Sequence, residues 1–414
     1  MLANLCGGVP ASRKAALRMI RNSAGEVIDE GLVLWFPAPR SFTGEDVFEL
    51  QVHGGPAVVE AALLAIDTLN GRLAEPGEFT RRAFEAERLD LAQAEAVADL
   101  VDAETDAQRR QALRQLGGEL SKRGERWRDT FLSALAFLSA QIDFPDEDLP
   151  DHVAARALAP LRALAAEIEE VLVDVRGERI RDGLRIALIG GPNAGKSSLF
   201  NALVKRDAAI VTSTPGTTRD VIEASLMLSG FKVVLADTAG VRSTTDEIER
   251  EGVRRALDWA ERADLRLWII DPSTPDPNPE LEALIKPRDI LVLTKSDLYP
   301  VSKFPQMFER PTIGLVATST VLGGGLDQLV ESLGRWISTA MTGSDFPAVT
   351  RARHRHLLHQ AHESLKRALN RSIDQAEMIA ADVGLAMRAV ESIAGRMDTE
   401  AVLDRVFQSF CIGK

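Results

Sequence analysis

The sequence predicts a multidomain protein: a small α+β segment first, an α-helical domain in two separated pieces, and an inserted α/β phosphate-loop domain between those pieces. Three observations predict it. The run G-G-P-N-A-G-K-S-S at 190–198 sits between an apolar run (185–189) and a segment with helical spacing at Leu199, Leu203 and Val204. Strand-like and helix-like patterns alternate from 183 to 338, as a parallel sheet requires. On both sides of that stretch the apolar residues recur at intervals of three and four with no strand between them, as in a bundle.

The composition permits this plan. The chain has 414 residues, room for roughly two to four domains. Hydrophobic residues make up 45% and charged residues 27%, the balance of a soluble globular protein. A net charge of −12 argues against a generally basic nucleic-acid binder and leaves room only for a local basic patch. The two cysteines, Cys6 and Cys411, give no disulfide framework and point to a reducing compartment. No apolar run approaches the ~20 residues of a membrane span. The start, M-L-A-N-L-C-G-G, has no basic region before an apolar core, so a cytoplasmic protein with no membrane partner is expected.

Taken in order, 1–86 is an α+β segment. Runs at 31–36 and 47–53 read as strands, His53-Gly54-Gly55-Pro56 ends the second, and 58–66 reads as a helix. Residues 87–182 form the first part of the helical domain. Trp127, Phe131, Leu135, Leu138 and Ile142 mark one amphipathic helix, and Leu161, Leu164, Ile168, Val171 and Val175 a second. The run F-P-D-E-D-L-P-D at 144–151 fits the turn between them. In 183–338 strands are expected at 185–189, 231–236, 266–270, 290–293 and 312–316. Helical spacing returns in 339–414 at Leu357, Leu358, Leu365 and Leu369.

The chemistry concentrates in 183–338. Between a strand and a helix, the glycines of G-x-x-x-x-G-K-S let backbone N–H groups of Asn193, Ala194, Gly195 and Ser198 converge on phosphate oxygens at the positive helix end. Lys196 reaches the β- and γ-phosphates there, and the Ser197 hydroxyl holds Mg²⁺. Next comes G-T-T-R-D at 216–220, where a threonine can complete the Mg²⁺ shell. In D-T-A-G (Asp237, Thr238, Ala239, Gly240) the aspartate can hold the Mg²⁺ shell and the Gly240 amide can read a γ-phosphate. T-K-S-D at 294–297 resembles the guanine-reading motif N-K-x-D. Asp297 can accept two guanine N–H bonds, and Lys295 can lie against the base. Thr294 stands where asparagine is usual, which bears on affinity rather than base identity. Ser319-Thr320, before Gly323-Gly324-Gly325, is the candidate last motif of the base site. Val241 follows D-T-A-G where many small GTPases have a water-orienting glutamine, so another group must supply that role. Arg219 and Arg242 read either as arginine fingers or as solvated surface residues.

Further runs carry a resemblance: S-F-T-G-E-D-V-F-E-L-Q-V-H-G-G-P (41–56), P-G-E-F-T-R-R-A-F (76–84), L-D-L-A-Q-A-E-A-V-A-D-L (89–100) and the ending F-C-I-G-K. Together with the G-domain motifs they resemble the bacterial tRNA-modification GTPase family called MnmE or TrmE, over essentially the whole chain. The resemblance implies an N-terminal folate-binding and dimerisation domain (1–86), a discontinuous helical domain (87–182 and 339–414) and an inserted G domain (183–338). It implies a homodimer that works with the flavoprotein MnmG, in a heterotetramer, to place aminomethyl or carboxymethylaminomethyl groups at C5 of the wobble uridine of certain tRNAs. It implies Mg²⁺, K⁺ and a 5-formyl- or methylene-tetrahydrofolate as cofactors, with GTP hydrolysis stimulated by K⁺.

The site residues follow by motif. Ser197 and Thr218 are implied Mg²⁺ ligands, and Asn193, Thr212, Thr214 and Thr217 implied K⁺ ligands. Glu249, which as a bare residue reads as a solvated helix carboxylate, is implied to orient the attacking water. Glu49, Arg88 and Lys414 match folate-contacting positions, Arg88 where many members have lysine. Family members begin with a strand and a glycine-rich loop, roughly thirty residues, the size of a βα element, so an incomplete N-terminal domain is expected. Cys411 reads as a buried thiol or, beside Lys414, as a functional one. His354, His356, His359 and His362, interleaved with arginines, read as a solvated basic helix face, with metal binding or contact with tRNA phosphates as alternatives. A ribosome-assembly GTPase switch is the competing class. Its KH domain needs a G-x-x-G loop, and the glycines after 340 (Gly343, Gly384, Gly395, Gly413) give no such spacing.

Overall fold

The structure is a computed structural model. It describes residues 1–143, 153–191, 193–206, 222–237, 257–273, 285–299, 314–343, 347, 349–395, 400–408 and 410. The chain divides into two compact units. One comprises Met1–Asp102, Ala112–Leu172 and Arg353–Lys414, and the other Ala103–Gln111 and Val173–Ala352.

The first unit opens with α1 (Leu2–Cys6), β1 (Ala16–Arg21), β2 (Val27–Phe36), β3 (Val47–Gln51) and α2 (Pro56–Asp67). The strands form an antiparallel sheet in the order β1-β2-β3. Alternation sends Ile20 and Val33 inward against Leu2, Leu5, Cys6 and Ala65. It leaves Leu17, Met19 and Leu32 on the opposite, exposed face. That split explains why β1 escapes a search for apolar runs: its outward apolar residues are separated by Arg18, and only Ile20 is buried. β2 and β3 match the expected strands, and β2 extends back through the acidic Asp29 and Glu30.

Helices follow: α3 (Glu78–Glu85), α4 (Leu91–Val101), α5 (Asp106–Leu116), α6 (Glu119–Asp143) and α7 (Val153–Val173). Asp90 starts α4 with a reciprocal cap: it accepts from the Gln93 N–H at 2.8 Å, and the Gln93 side chain accepts from the Asp90 N–H at 3.0 Å. Trp127, Phe131 and Leu138 of α6 and Leu161, Leu164 and Ile168 of α7 are buried, as their spacing requires. α7 stops at Val173, so Val175 lies beyond the helix assigned to it from sequence. The turn expected at 144–151 lies outside the described residues.

The second unit holds α8 (Arg176–Asp182), β4 (Leu184–Ile189), α9 (Lys196–Arg206), β5 (Ile222–Leu228), β6 (Phe231–Asp237), β7 (Leu265–Ile270), β8 (Ile290–Leu293), β9 (Gly314–Ala317) and α10 (Leu326–Ala340). Its sheet has the order β5-β6-β4-β7-β8-β9. Every pair is parallel except β5 with β6. β7 and β8 are buried along their whole length, as central parallel strands covered on both faces must be. β5 is the strand of this sheet with no counterpart in the sequence reading. Ser229 and Gly230, both at positive φ (52° and 81°), join it to β6. A Ser-Gly pair between alternating runs is the signal that finds such a hairpin.

The first unit is completed by α11 (Ala352–Leu369), α12 (Ala376–Glu391) and α13 (Glu400–Phe407). α12 packs along α6. Leu91, Ala94, Phe407 and Phe410 form a separate apolar cluster with Phe84 against it. Gly77 serves that cluster: at φ 69°, a Cβ there would stand 2.7 Å from the Phe407 carbonyl oxygen. Two sequence motifs, P-G-E-F and the run into the C-terminus, therefore meet in space. The histidine expectation is corrected here. His354 and His362 are buried on the inner face of α11, while His356 and His359 are exposed. Their spacing follows the helix: the 354 and 362 positions fall with Leu358 and Leu365 on the apolar face.

Candidate nucleotide site

β4 lies between β6 and β7 in the sheet, so its carboxyl end is the point where the chain's connections diverge. The phosphate loop starts there. Gly190 is required by crowding: a Cβ would stand 2.2 Å from the Ile269 carbonyl oxygen. Asn193 (φ 58°) and Gly195 (φ 95°) take left-handed conformations that turn the loop into α9.

Lys196 is buried, and its Nζ donates to the carbonyl oxygens of Gly190 at 2.9 Å and Gly191 at 2.8 Å, within the arc of its own loop. Burial lowers the ammonium's pKa, with the Asp237 carboxylate partly opposing. Ser197 Oγ donates to Asp237 Oδ2 at 2.6 Å. The bond follows from register, since Leu188 of β4 pairs with Asp237 at the end of β6. A hydroxyl and a buried carboxylate converging beside a glycine loop are the oxygen donors a small hard cation takes. Ser198 is exposed on the first turn of α9.

β8 delivers the second half. Thr294, buried, donates from Oγ1 to the Ala194 carbonyl oxygen at 2.7 Å and approaches that of Ile270 at 3.2 Å. It therefore ties the base-reading segment to the phosphate loop. Lys295 (φ 53°) reaches back to Asp271, with Nζ 2.5 Å from Oδ2. Asp297 is exposed in the turn that follows. Ser296 N–H donates to the Thr318 carbonyl at 3.1 Å, which joins this turn to the segment after β9. There Ser319 is buried, its Oγ accepts from the Leu322 N–H at 3.1 Å, and Thr320 is exposed. Gly325 is required: a Cβ would stand 1.8 Å from the Ala317 carbonyl oxygen.

The described residues thus bring together Asn193, Ala194, Gly195, Lys196, Ser197, Asp237, Thr294 and Lys295. Thr212, Thr214, Thr217, Thr218, Thr238, Ala239, Gly240 and Glu249, with Arg219, Val241 and Arg242, lie outside the described residues, as do Cys411 and Lys414. In the first unit Glu49 is exposed on β3, opposite Leu34. Arg88 is exposed too, its N–H donating to the Ala83 carbonyl at 2.8 Å and its stem lying against Gly44.

Two groups of partners have no place in the sequence reading. Asp271 is one. Its signal was an acid directly following the apolar run Leu267–Ile270 of β7, at the carboxyl edge where ligands bind. The other is Glu95, buried beside His354 (2.7 Å) and paired with the partly exposed Arg353 (3.1 Å). Burial alone would raise the Glu95 pKa; the charges and hydrogen bonds of His354 and Arg353 hold it far below the usual carboxylate range. No local sequence signal links residues so far apart.

The glycine loop at the carboxyl end of β4, between β6 and β7, and the Ser197–Asp237 pair define a phosphate-loop nucleotide-binding domain. The model of the MnmE helical domain matches residues 91–411, and that of the GTP-binding protein TrmE N-terminus matches residues 2–88. A protein of Phenylobacterium zucineum described as tRNA modification GTPase MnmE is 54% identical, over 99% of this chain and 93% of that protein. The Caulobacter vibrioides protein of the same description is 53% identical, over 100% of this chain and 93% of that protein. Among solved structures, the G domain of the T. maritima FeoB iron transporter is 27% identical over 37% of this chain and 98% of that chain, with a TM-score of 0.28. The chain belongs to the MnmE family.

Proposed function

We propose that this chain is a GTP hydrolase acting in tRNA modification, and that with the flavoprotein MnmG it serves the formation of aminomethyl or carboxymethylaminomethyl groups at C5 of the wobble uridine. The observation that carries the nucleotide reading is the pair of cross-links on the phosphate loop: Ser197 to Asp237 on one side, Thr294 to Ala194 on the other. They hold a phosphate cradle and a base-reading turn at a fixed separation. That is the arrangement a guanine nucleotide needs if Asp297 is to accept from its N–H groups.

Each residue has a task in this reading. The loop amides and Lys196 Nζ bind phosphate oxygens, Lys196 exchanging the Gly190 and Gly191 carbonyls for them. Ser197 Oγ and Asp237 fit a Mg²⁺ shell, with Thr218 as a further ligand. That ion supplies charge neutralisation between the phosphates. Asn193, with Thr212, Thr214 and Thr217, holds K⁺, and Glu249 orients the attacking water. Glu49, Arg88 and Lys414 contact a 5-formyl- or methylene-tetrahydrofolate, the carbon donor. The protein works as a homodimer in the cytoplasm. Among the described residues no helix is long and apolar enough to cross a membrane.

The test is nucleoside analysis of tRNA from cells lacking the protein, alongside GTP hydrolysis by the purified chain. Loss of the C5-modified wobble uridine, restored by the wild-type gene and not by Ser197→Ala, is expected. Persistence of every modified wobble uridine would refute the function.

A further inference from the structure

We propose that Asp271 is a positioning residue for the base site: by gripping the ammonium of Lys295 it fixes the course of the lysine stem, and so sets how tightly the site holds a guanine base. This rests on the guanine-nucleotide reading above.

Strand register puts the two groups side by side. Ile270 of β7 pairs with Leu293 of β8, so the chain leaves both strands at the same level, with Asp271 beyond one and Thr294 and Lys295 beyond the other. The two carboxylate oxygens of Asp271 are divided between two duties. Oδ2 faces Lys295 Nζ at 2.5 Å, and Oδ1 accepts from Ser273 N–H at 2.8 Å and Ser273 Oγ at 2.7 Å. The Ser273 bonds fix the carboxylate, and the carboxylate fixes the lysine.

Lys295 is thereby anchored at both ends. Its backbone sits at φ 53°, a conformation a lysine rarely takes, and its N–H neighbours at Leu298 and Tyr299 both donate to its carbonyl. Its ammonium is held by the acid. A lysine stem is four methylenes long and wanders when the ammonium is free in water. Tied down, it presents one apolar edge beside the turn that carries Asp297, where a base can lie against it.

The exposure of the pair separates this contact from an ordinary buried ion pair. Asp271 is 3% exposed at its side chain, but Lys295 is 40% exposed. The neighbouring pair Arg266–Asp289 is 3% and 1% exposed, and its guanidinium also closes the carbonyls of Ala260 and Ala263. Arg266–Asp289 holds the fold; Asp271 holds a side chain that still faces solvent.

The experiment is calorimetric titration of GDP into the full chain and its variants, with a thermal melt of each. Loss of one charge-assisted bond is expected to weaken GDP binding about tenfold in Asp271→Asn. Lys295→Met keeps the stem and the Ser273 bonds but loses the anchor, so it should weaken binding by a similar factor, and it reports even where Asp271→Asn does not fold. In the double variant the two losses should not add. Ser273→Ala loses the Oγ bond but keeps the Ser273 N–H bond that holds Oδ1, so it should change affinity less than twofold. Binding in Asp271→Asn or Lys295→Met within twofold of wild type overturns the proposal. So does an Asp271→Asn loss that persists undiminished in the Lys295→Met background, because the acid would then act through the Ser273 turn alone. Failure of the wild type to bind GDP would instead remove the guanine reading, and the proposal with it.

Discussion

Thr294 occupies the position at which the base-reading motif usually has asparagine, and its hydroxyl makes the link that couples the motif to the phosphate loop. Thr294→Val keeps the shape and removes the donor. The Thr294 side chain is buried, so water does not replace the lost partner of the Ala194 carbonyl. Leaving such an acceptor unmade costs about 1–3 kcal/mol, which corresponds to roughly 5- to 150-fold in an equilibrium constant. The methyl group stays, and with it the packing against Gly195, where a built Cβ would lie 3.3 Å from Thr294 Cγ2. The loss should therefore fall on nucleotide affinity and on the melting temperature of the nucleotide-binding unit, not on the secondary structure. Thr294→Ser retains the hydroxyl and should bind nearly as the wild type. The assay is dissociation of a fluorescent GDP analogue, with circular dichroism as the fold control. Equal affinity in Thr294→Val and wild type would refute the coupling. A loss of the same size in Thr294→Ser would assign the effect to the methyl group instead.

Three further outcomes are expected. Glu95→Gln removes the buried carboxylate that partners buried His354 and the partly exposed Arg353, a change that costs about 3–5 kcal/mol, so its melting transition should fall by several degrees at neutral pH. Because the folded-state pKa of Glu95 is depressed, its contribution is present above the unfolded glutamate value near ~4.3 and is lost as the pH falls through the folded value; the gap between wild type and variant should therefore narrow in acid, and a gap independent of pH would contradict the charge assignment. Asp297→Asn should shift preference from guanosine to xanthosine triphosphate, read by competition calorimetry; unchanged preference would show that Asp297 does not read the base. Single-turnover GTP hydrolysis should run faster in KCl than in NaCl at matched ionic strength, and Asn193→Ala should erase the difference; equal wild-type rates in the two salts would exclude K⁺ as the activating cation.

The legible parts of this chain are those whose cause is local. The phosphate loop could be read because its motif is contiguous, G-x-x-x-x-G-K-S at 190–197, and because the flanking strand and helix announce themselves by period. The central strands could be read because both their faces are buried, which makes β8 an unbroken apolar run and leaves β7 apolar except for Arg266. Edges were harder. β1 and β5 each bury one side, so arginines in one and Glu223 and Ser225 in the other break the run. The histidines of α11 show the limit from the other direction. Composition suggested a wet basic face, but Glu95, more than two hundred residues away, gives His354 a partner that allows it inside. No window of sequence contains that fact.

The same distinction separates two kinds of residue in the nucleotide site. Lys196, Ser197, Asp237 and Lys295 belong to motifs that announce their chemistry. Asp271 announces nothing, and Thr294 reads as a flaw in its motif. Sheet order gives both a purpose. β4 stands between β6 and β7, and β8 stands beyond β7. Ser197, just after β4, can therefore reach Asp237 on β6 directly, whereas the segment after β8 must reach across the end of β7 to touch the phosphate loop. Thr294 makes that crossing by bonding to Ala194 past the Ile270 carbonyl, and Asp271 continues it one residue further out. The two links act on different parts of a ligand. A change at Thr294 loosens the cradle itself and should weaken GDP and pyrophosphate alike. A change at Asp271 leaves the cradle bonds in place and should weaken GDP while sparing pyrophosphate, because a ligand with no base has nothing to lay against Lys295. Competition by pyrophosphate against a fluorescent nucleotide distinguishes them, and equal losses of pyrophosphate affinity in Thr294→Val and Asp271→Asn would show that the site does not divide in this way.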